Sequence, residues 1–139
     1  MKMKKTIAGI CAAAISISVL TLTASAASAS FSETAGKAPV SGSLSVNSRQ
    51  VVATASISDN PANYQVAQAR VSLLEYTTRN NSNGMIQKYS TNTVWGTGGA
   101  GCNAFPPDGY SITKANSYNE FNIDSQLYSG NRYNLAAQA

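Results

Sequence analysis

The sequence predicts an all-β fold, a small antiparallel β-sandwich of six or seven short strands. Three observations predict it. Apolar residues recur with period two, clusters of turn-forming residues interrupt them at short intervals, and the chain is only long enough for one core.

The alternation is clearest from Val40, where Val40, Gly42, Leu44 and Val46 fall on one face and Ser41, Ser43, Ser45 and Asn47 on the other. After a break at Asn47-Ser48-Arg49, Val51, Ala53, Ala55 and Ile57 alternate with polar residues, so the two runs should pair as a hairpin. Asp59-Asn60-Pro61-Ala62-Asn63 reads as a turn, because Asp and Asn accept local backbone bonds and proline cannot donate to a ladder. From Tyr64 to Tyr76, Ala67, Ala69, Val71 and Leu73 alternate with Gln68, Arg70 and Ser72. A helix is the alternative there, since Gln65 to Glu75 lacks Gly and Pro, but period two fits better.

Thr77 to Gly84 is polar and ends in Asn-Gly, which predicts a loop reversing the chain into a run over Met85 to Val94. Gly96 to Gly109 reads as a long irregular connection. Shorter runs follow at Tyr110 to Ala115, Tyr118 to Asp124 and Arg132 to Ala137.

Ahead of this domain, Met1-Lys2-Met3-Lys4-Lys5 is basic, Thr6 to Thr23 is apolar and uncharged, and two small-x-small sites follow at Ala24-Ser25-Ala26 and Ala27-Ser28-Ala29. That order predicts a signal-peptide helix over residues 1–29 with cleavage after Ala29, and Ala26 as the second choice. A membrane anchor fits less well, because Ser and Thr dilute the apolar run and a cleavage motif lies directly behind it. Cys11 follows Ile10 near the start of that run, which is the wrong place for a lipidated cysteine. The expectation is a protein released outside the cell, with no membrane attachment after processing, a flexible lead-in over 30–38 and one domain over 39–139.

Removing the leader removes most of the positive charge. Seven basic residues then face six acids, a net charge of +1 in place of +4, and none of them form a run that would track a phosphate backbone. Nucleic acid is therefore not an expected partner. One cysteine, Cys102, remains, which excludes an internal disulfide. It reads as an inert small residue, an exposed thiol after a glycine-rich loop, or one half of an intermolecular bridge in a homodimer.

Motifs that carry chemistry fail on context. Gly96-Thr97-Gly98-Gly99-Ala100-Gly101 fits G-x-G-x-x-G, but Pro106 and Pro107 exclude the helix whose amides would cradle a pyrophosphate. Ser111-Ile112-Thr113-Lys114 fits S-x-x-K, whose geometry needs a helix where a strand is predicted. The sequence has no histidine, which removes the usual general base and the commonest zinc ligand. The six carboxylates are dispersed, and only a convergence of Glu75 and Glu120 would suggest a glycoside hydrolase. No metal, cofactor or catalytic residue is expected.

Aromatic residues are the most usable signal. Most should fill the core or cover its edge. Tyr89, Trp95, Phe105 and Tyr110 flank or occupy the long connection, and would present flat faces to a sugar ring or a protein partner.

Near the C-terminus, Leu127-Tyr128-Ser129-Gly130-Asn131-Arg132-Tyr133 resembles the corner between strands E and F of fibronectin type III and immunoglobulin-like sandwiches, with Leu, Gly and Tyr at three-residue spacing. The match covers nine residues, to Leu135, and Ser129 stands where the family carries proline. The resemblance implies structural roles for Leu127, Gly130 and Tyr133, the tyrosine hydroxyl bonding back to the corner's backbone. It also implies that the six residues after Tyr133 finish strand F, leaving no strand G and an open sheet edge that a second molecule can extend.

Together these readings describe a secreted, bacterial, non-catalytic binding module for a protein or glycan. A bacteriocin-like antagonist is the first alternative and a small secreted hydrolase the second.

Overall fold

The computed structural model describes residues 27–90 and 94–139. Residues 1–26 of the leader helix expected over 1–29 lie outside them, and Ala27 to Ala29 belong to a strand instead. Two antiparallel sheets pack face to face as a β-sandwich. Among the described residues ten strands form it: β1 (Ala27–Ala35), β2 (Ala38–Val46), β3 (Val51–Ile57), β4 (Ala67–Asn80), β5 (Ile86–Tyr89), β6 (Val94–Thr97), β7 (Gly99–Ala104), β8 (Tyr110–Ile123), β9 (Gln126–Tyr128) and β10 (Asn134–Gln138). One sheet runs β1-β2-β3-β7. The other is built on β4 and β8, with β5 and β6 end to end along the outer side of β4, and β9 and β10 end to end along the outer side of β8.

The β2–β3 hairpin follows the predicted alternation. Val40 pairs with Ile57, Leu44 with Ala53 and Val46 with Val51, all buried between the sheets. On the solvent side the hydroxyls pair across the strands, Ser41 with Ser56 at 2.8 Å and Ser43 with Thr54 at 2.7 Å. The middle of the core is aromatic. Phe31, Phe121 and Tyr133 lie with ring centroids 5.3–6.1 Å apart in tilted and edge-on contacts, and Phe121 and Tyr133 are fully buried.

Four segments differ from expectation. The lead-in is not frayed: Ala27 to Ala35 pairs with β2 along its whole length and delivers Phe31 to the core. The polar Thr77 to Asn80 extends β4, with Thr77 and Thr78 buried. Tyr110 to Ile123 is one strand. An extra residue in β8 beside the Thr77/Thr78 register shift interrupts its period, so that Ile112 and Ala115 both face the core. The run after Tyr133 forms β10, which pairs with β8 at the edge of the larger sheet, so the corner motif lies in the connection after β8.

The glycine-rich segment is the fourth difference. Gly99 to Ala104 forms β7 against β3, and Gly98 carries the chain from one sheet to the other. Its N–H donates to Ala67 O and its carbonyl accepts from Ile57 N, both at 2.9 Å, so it bonds to both sheets at φ +73°. At Gly96 a Cβ would stand 2.0 Å from the carbonyl oxygen of Gly99. Glycine is required here by the tightness of the corner, not by a ligand.

Tyr133 is buried, yet its hydroxyl makes no hydrogen bond with any described residue, so the bond to backbone implied by the corner motif is not made. Leu127, its expected companion, is 55 % exposed, and Gly130 caps the short 3-10 turn before β10. Tyr133→Phe is therefore expected to leave stability unchanged or raise it by about 1 kcal/mol in urea denaturation, whereas Tyr133→Ala costs about 3–5 kcal/mol. A Phe variant weakened by about 2 kcal/mol or more would contradict this placement.

Candidate functional site

The four aromatic candidates go to three different places. Tyr89 turns toward the core and stacks on Tyr76, with centroids 5.3 Å apart and planes 22° from parallel. Trp95 lies on the outer face of the larger sheet, 42 % exposed, with the Arg70 guanidinium 5.1 Å from its ring centre. Only Phe105 and Tyr110 come together, and they line a cleft of about 480 Å³ at one end of the sandwich.

Three connections build this cleft. From the β2–β3 turn come Ser48 and Arg49, from the β4–β5 turn Asn81, and from the β7–β8 loop Phe105 through Gly109, with Tyr110 and Ser111 opening β8. Each connection is held by local bonds. Asn47 Oδ1 accepts from the backbone N–H of Arg49 and of Gln50, both at 2.8 Å, which fixes the first turn. Asn80 Oδ1 accepts from Ser82 N at 2.8 Å and Asn83 N at 3.1 Å, which fixes the second. In the third, Tyr110 N donates to Pro107 O at 3.0 Å around Gly109 at φ +79°, and Pro106 and Pro107 restrict the approach.

The connections are also tied to β8 and to one another. Ile112 N donates to Ser48 O and Asn81 N to Gly109 O, both at 2.9 Å, and Ser111 Oγ donates to Asn81 Oδ1 at 2.9 Å. The cleft is thus set by the fold before any ligand arrives. It presents Phe105, 59 % exposed, beside the side chains of Arg49 and Asp108, both exposed and neither in an ion pair among the described residues. An apolar ring beside an unengaged donor fork and an unengaged acceptor suits a ligand with both a flat apolar face and hydroxyl or amide edges. Sequence reasoning singled out Phe105 and Tyr110 but missed Arg49, Asn81 and Asp108, which lie far apart in the chain and carry no motif.

Other expected chemistry is not assembled. Glu75 pairs with Lys88 at 3.3 Å, and Glu120 is buried in an ion pair with Arg70. Along β8 Glu120 stands four positions from Asn116, the cross-strand partner of Glu75, which separates the two backbones by about 13 Å along the strand, and each carboxylate is engaged by its own cation. Ser111 and Lys114 lie in strand β8, not one helical turn apart. Cys102 sits within β7 opposite Ala53 and is half-buried against the core. Among the described residues no group of three or more Cys, Asp and Glu can hold a metal ion, and no helix is long and apolar enough to cross a membrane.

The opposite end of the sandwich carries a polar cluster that satisfies itself. Asp124 takes Lys37 at 2.9 Å and the backbone N–H of Gln65 at 2.7 Å. Asp59 accepts from Asn60 N at 2.7 Å, Tyr64 Oη at 2.9 Å and Asn63 Nδ2 at 3.0 Å. The Lys37 bond, then the Gln65 amide, hold the Asp124 carboxyl below its usual 3.8. For Asp59 the Asn60 amide does most, followed by Tyr64 and Asn63.

Because both folded-state values are depressed, the stabilisation is complete above the usual carboxylate range and is lost as pH falls through the lower folded values. The Gln65 amide should stay protected from hydrogen exchange from pH 7 down to about 4 and lose that protection only below it. Asp124→Asn should remove the pH dependence. Loss of protection between about pH 7 and 5 would contradict the assignment.

Compared with protein-family models, with curated proteins and with solved structures, the chain matches none of them.

Proposed function

We propose that this chain is an exported, non-catalytic binding module that takes a glycan into the loop-end cleft. The observation that carries the reading is the exposed ring of Phe105 set beside the unengaged Arg49 and Asp108 on a hydrogen-bonded frame. A pyranose offers an apolar face for the ring and vicinal hydroxyls for the guanidinium and carboxylate, which bond in a planar, bidentate manner. Because the frame is preformed, little conformational entropy is lost on binding.

Export is supported by the basic, apolar and small-residue order of the first 29 residues. A non-catalytic role is supported by the sequence, which lacks histidine, and by the separate ion pairs that engage Glu75 and Glu120. The immunoglobulin-like reading draws support from strand order. The larger sheet runs β10-β8-β4-β5, in the manner of strands G, F, C and C′, and β2-β3-β7 runs in the manner of A, B and E. In that alignment β10 is strand G, and β1 is an additional strand beside A.

Affinity electrophoresis of the purified protein against a panel of cell-wall and exopolysaccharides tests the reading. At least one glycan should retard the protein, Phe105→Ala should weaken that retardation roughly 10- to 100-fold, and Trp95→Ala should leave it unchanged. Retardation by none of the panel would overturn the proposal, as would retardation insensitive to Phe105 and Arg49. Growth inhibition of related strains by the purified protein would favour an antagonist instead.

A further inference from the structure

We infer that the outer face of the larger sheet carries an anion site, built by Thr77, Lys88 and Lys114, that takes a phosphate group, free or borne by a polymer. The site is separate from the loop-end cleft and stands whether or not a glycan binds there.

Strand pairing sets the three residues in one row. Thr77 of β4 lies opposite Lys88 of β5 on one side and Lys114 of β8 on the other. Tyr76 and Thr78, its neighbours in β4, are buried on the inner side, so alternation turns Thr77 outward between the two lysines. The lysine backbones stand about 10 Å apart, two strand spacings, and their long side chains can close over one small anion. Lys114 owes its place to the irregularity in β8. Strict alternation from Ile112 would turn Lys114 inward, but Ile112 and Ala115 both face the core and Lys114 is exposed opposite Thr77.

The Thr77 hydroxyl is buried, yet it makes no hydrogen bond with any described residue. The threonines around it are satisfied: Thr78 Oγ1 donates to Gln87 O at 3.4 Å and Thr113 Oγ1 to Thr77 O at 3.2 Å. A buried hydroxyl in that state is an exception that a ligand would remove. The charge around it is mostly of one sign. Lys114 is in no ion pair among the described residues, nor is Arg79, which follows two residues after Thr77 on the same face. Glu75 opposes them by taking Lys88 at 3.3 Å, but its side chain and that of Lys88 are 38 % and 62 % exposed, so this pair gives way readily. Two ammonium groups with rotatable donors about a hydroxyl suit a dianion whose oxygens point in several directions, as those of phosphate do. A lone carboxylate is better met by an arginine fork.

The test is amide-resolved NMR of the purified protein titrated with inorganic phosphate, with sodium chloride holding the ionic strength constant. Amides of Thr77, Lys88 and Lys114 should shift together and saturate in the millimolar range. Thr77→Val keeps the shape and removes the hydroxyl; it and Lys114→Gln should each weaken the affinity roughly 3- to 10-fold without lowering the melting temperature. Lys37→Gln removes a cation from the opposite end and should leave the affinity unchanged. Equal losses in Lys37→Gln and Lys114→Gln would reduce the effect to net charge and overturn the inference, as would shifts that never saturate or that ignore Thr77→Val. A phosphate-bearing polysaccharide, added at the same phosphate concentration, separates the sources. Tighter saturation of the same amides assigns the polymer, and equal or weaker saturation assigns free phosphate.

Discussion

The rest of the structure depends on the ladder between β4 and β8. Both strands are 14 residues long, and they stay paired from Ala67 and Ile123 at one end to Asn80 and Tyr110 at the other. Four further strands hang from their outer sides, and β2 and β3 pack across their inner faces. Two register shifts interrupt the ladder, one between Leu73 and Glu75 and one between Thr77 and Thr78. Each strand contributes one extra residue, so the two irregularities compensate and both ends remain in step. The candidate cleft and the self-satisfied acidic cluster stand at opposite ends of this ladder. At one end the pairing of Asn80 with Tyr110 brings the β4–β5 turn against the loop that holds Phe105. At the other, Asp124 follows directly on Ile123.

How far this was legible in the sequence depended on side-chain size and on regular period. In β2 and β3, bulky Val, Leu and Ile alternate with Ser and Thr, and both strands and their hairpin could be read directly. β7 could not, because Gly99, Ala100, Gly101 and Cys102 give an alternation too small to see. Its glycines look like a loop although they serve a corner between sheets. β8 read as two runs because polar Asn116 and Ser117 stand between them, although both pair with β4 and Ser117 is buried. Thr77 to Asn80 read as loop because they are polar, yet β-branched Thr77 and Thr78 suit a strand whose neighbours cover them.

The candidate site was legible as chemistry but not as place. Four aromatic residues were singled out, but sequence proximity to one connection grouped side chains that the sandwich distributes to a core edge, an outer face and a loop cluster. The residues that complete the cleft, Arg49, Asn81 and Asp108, are ordinary turn residues whose role appears only when three connections meet. The same lesson applies at Tyr133, where a short motif located a buried aromatic correctly while the hydrogen bond it implies is not formed.

That the cleft between Phe105, Arg49 and Asp108 is the ligand site is tested most directly by amide-resolved NMR during titration with a retained oligosaccharide. Amides of Ser48, Arg49, Asn81 and the segment from Phe105 to Ser111 should shift together along one saturating curve, while those around Trp95 and Asp124 stay still. Shifts centred on Trp95 and the outer face of the larger sheet, with Phe105 to Ser111 unmoved, would contradict the account.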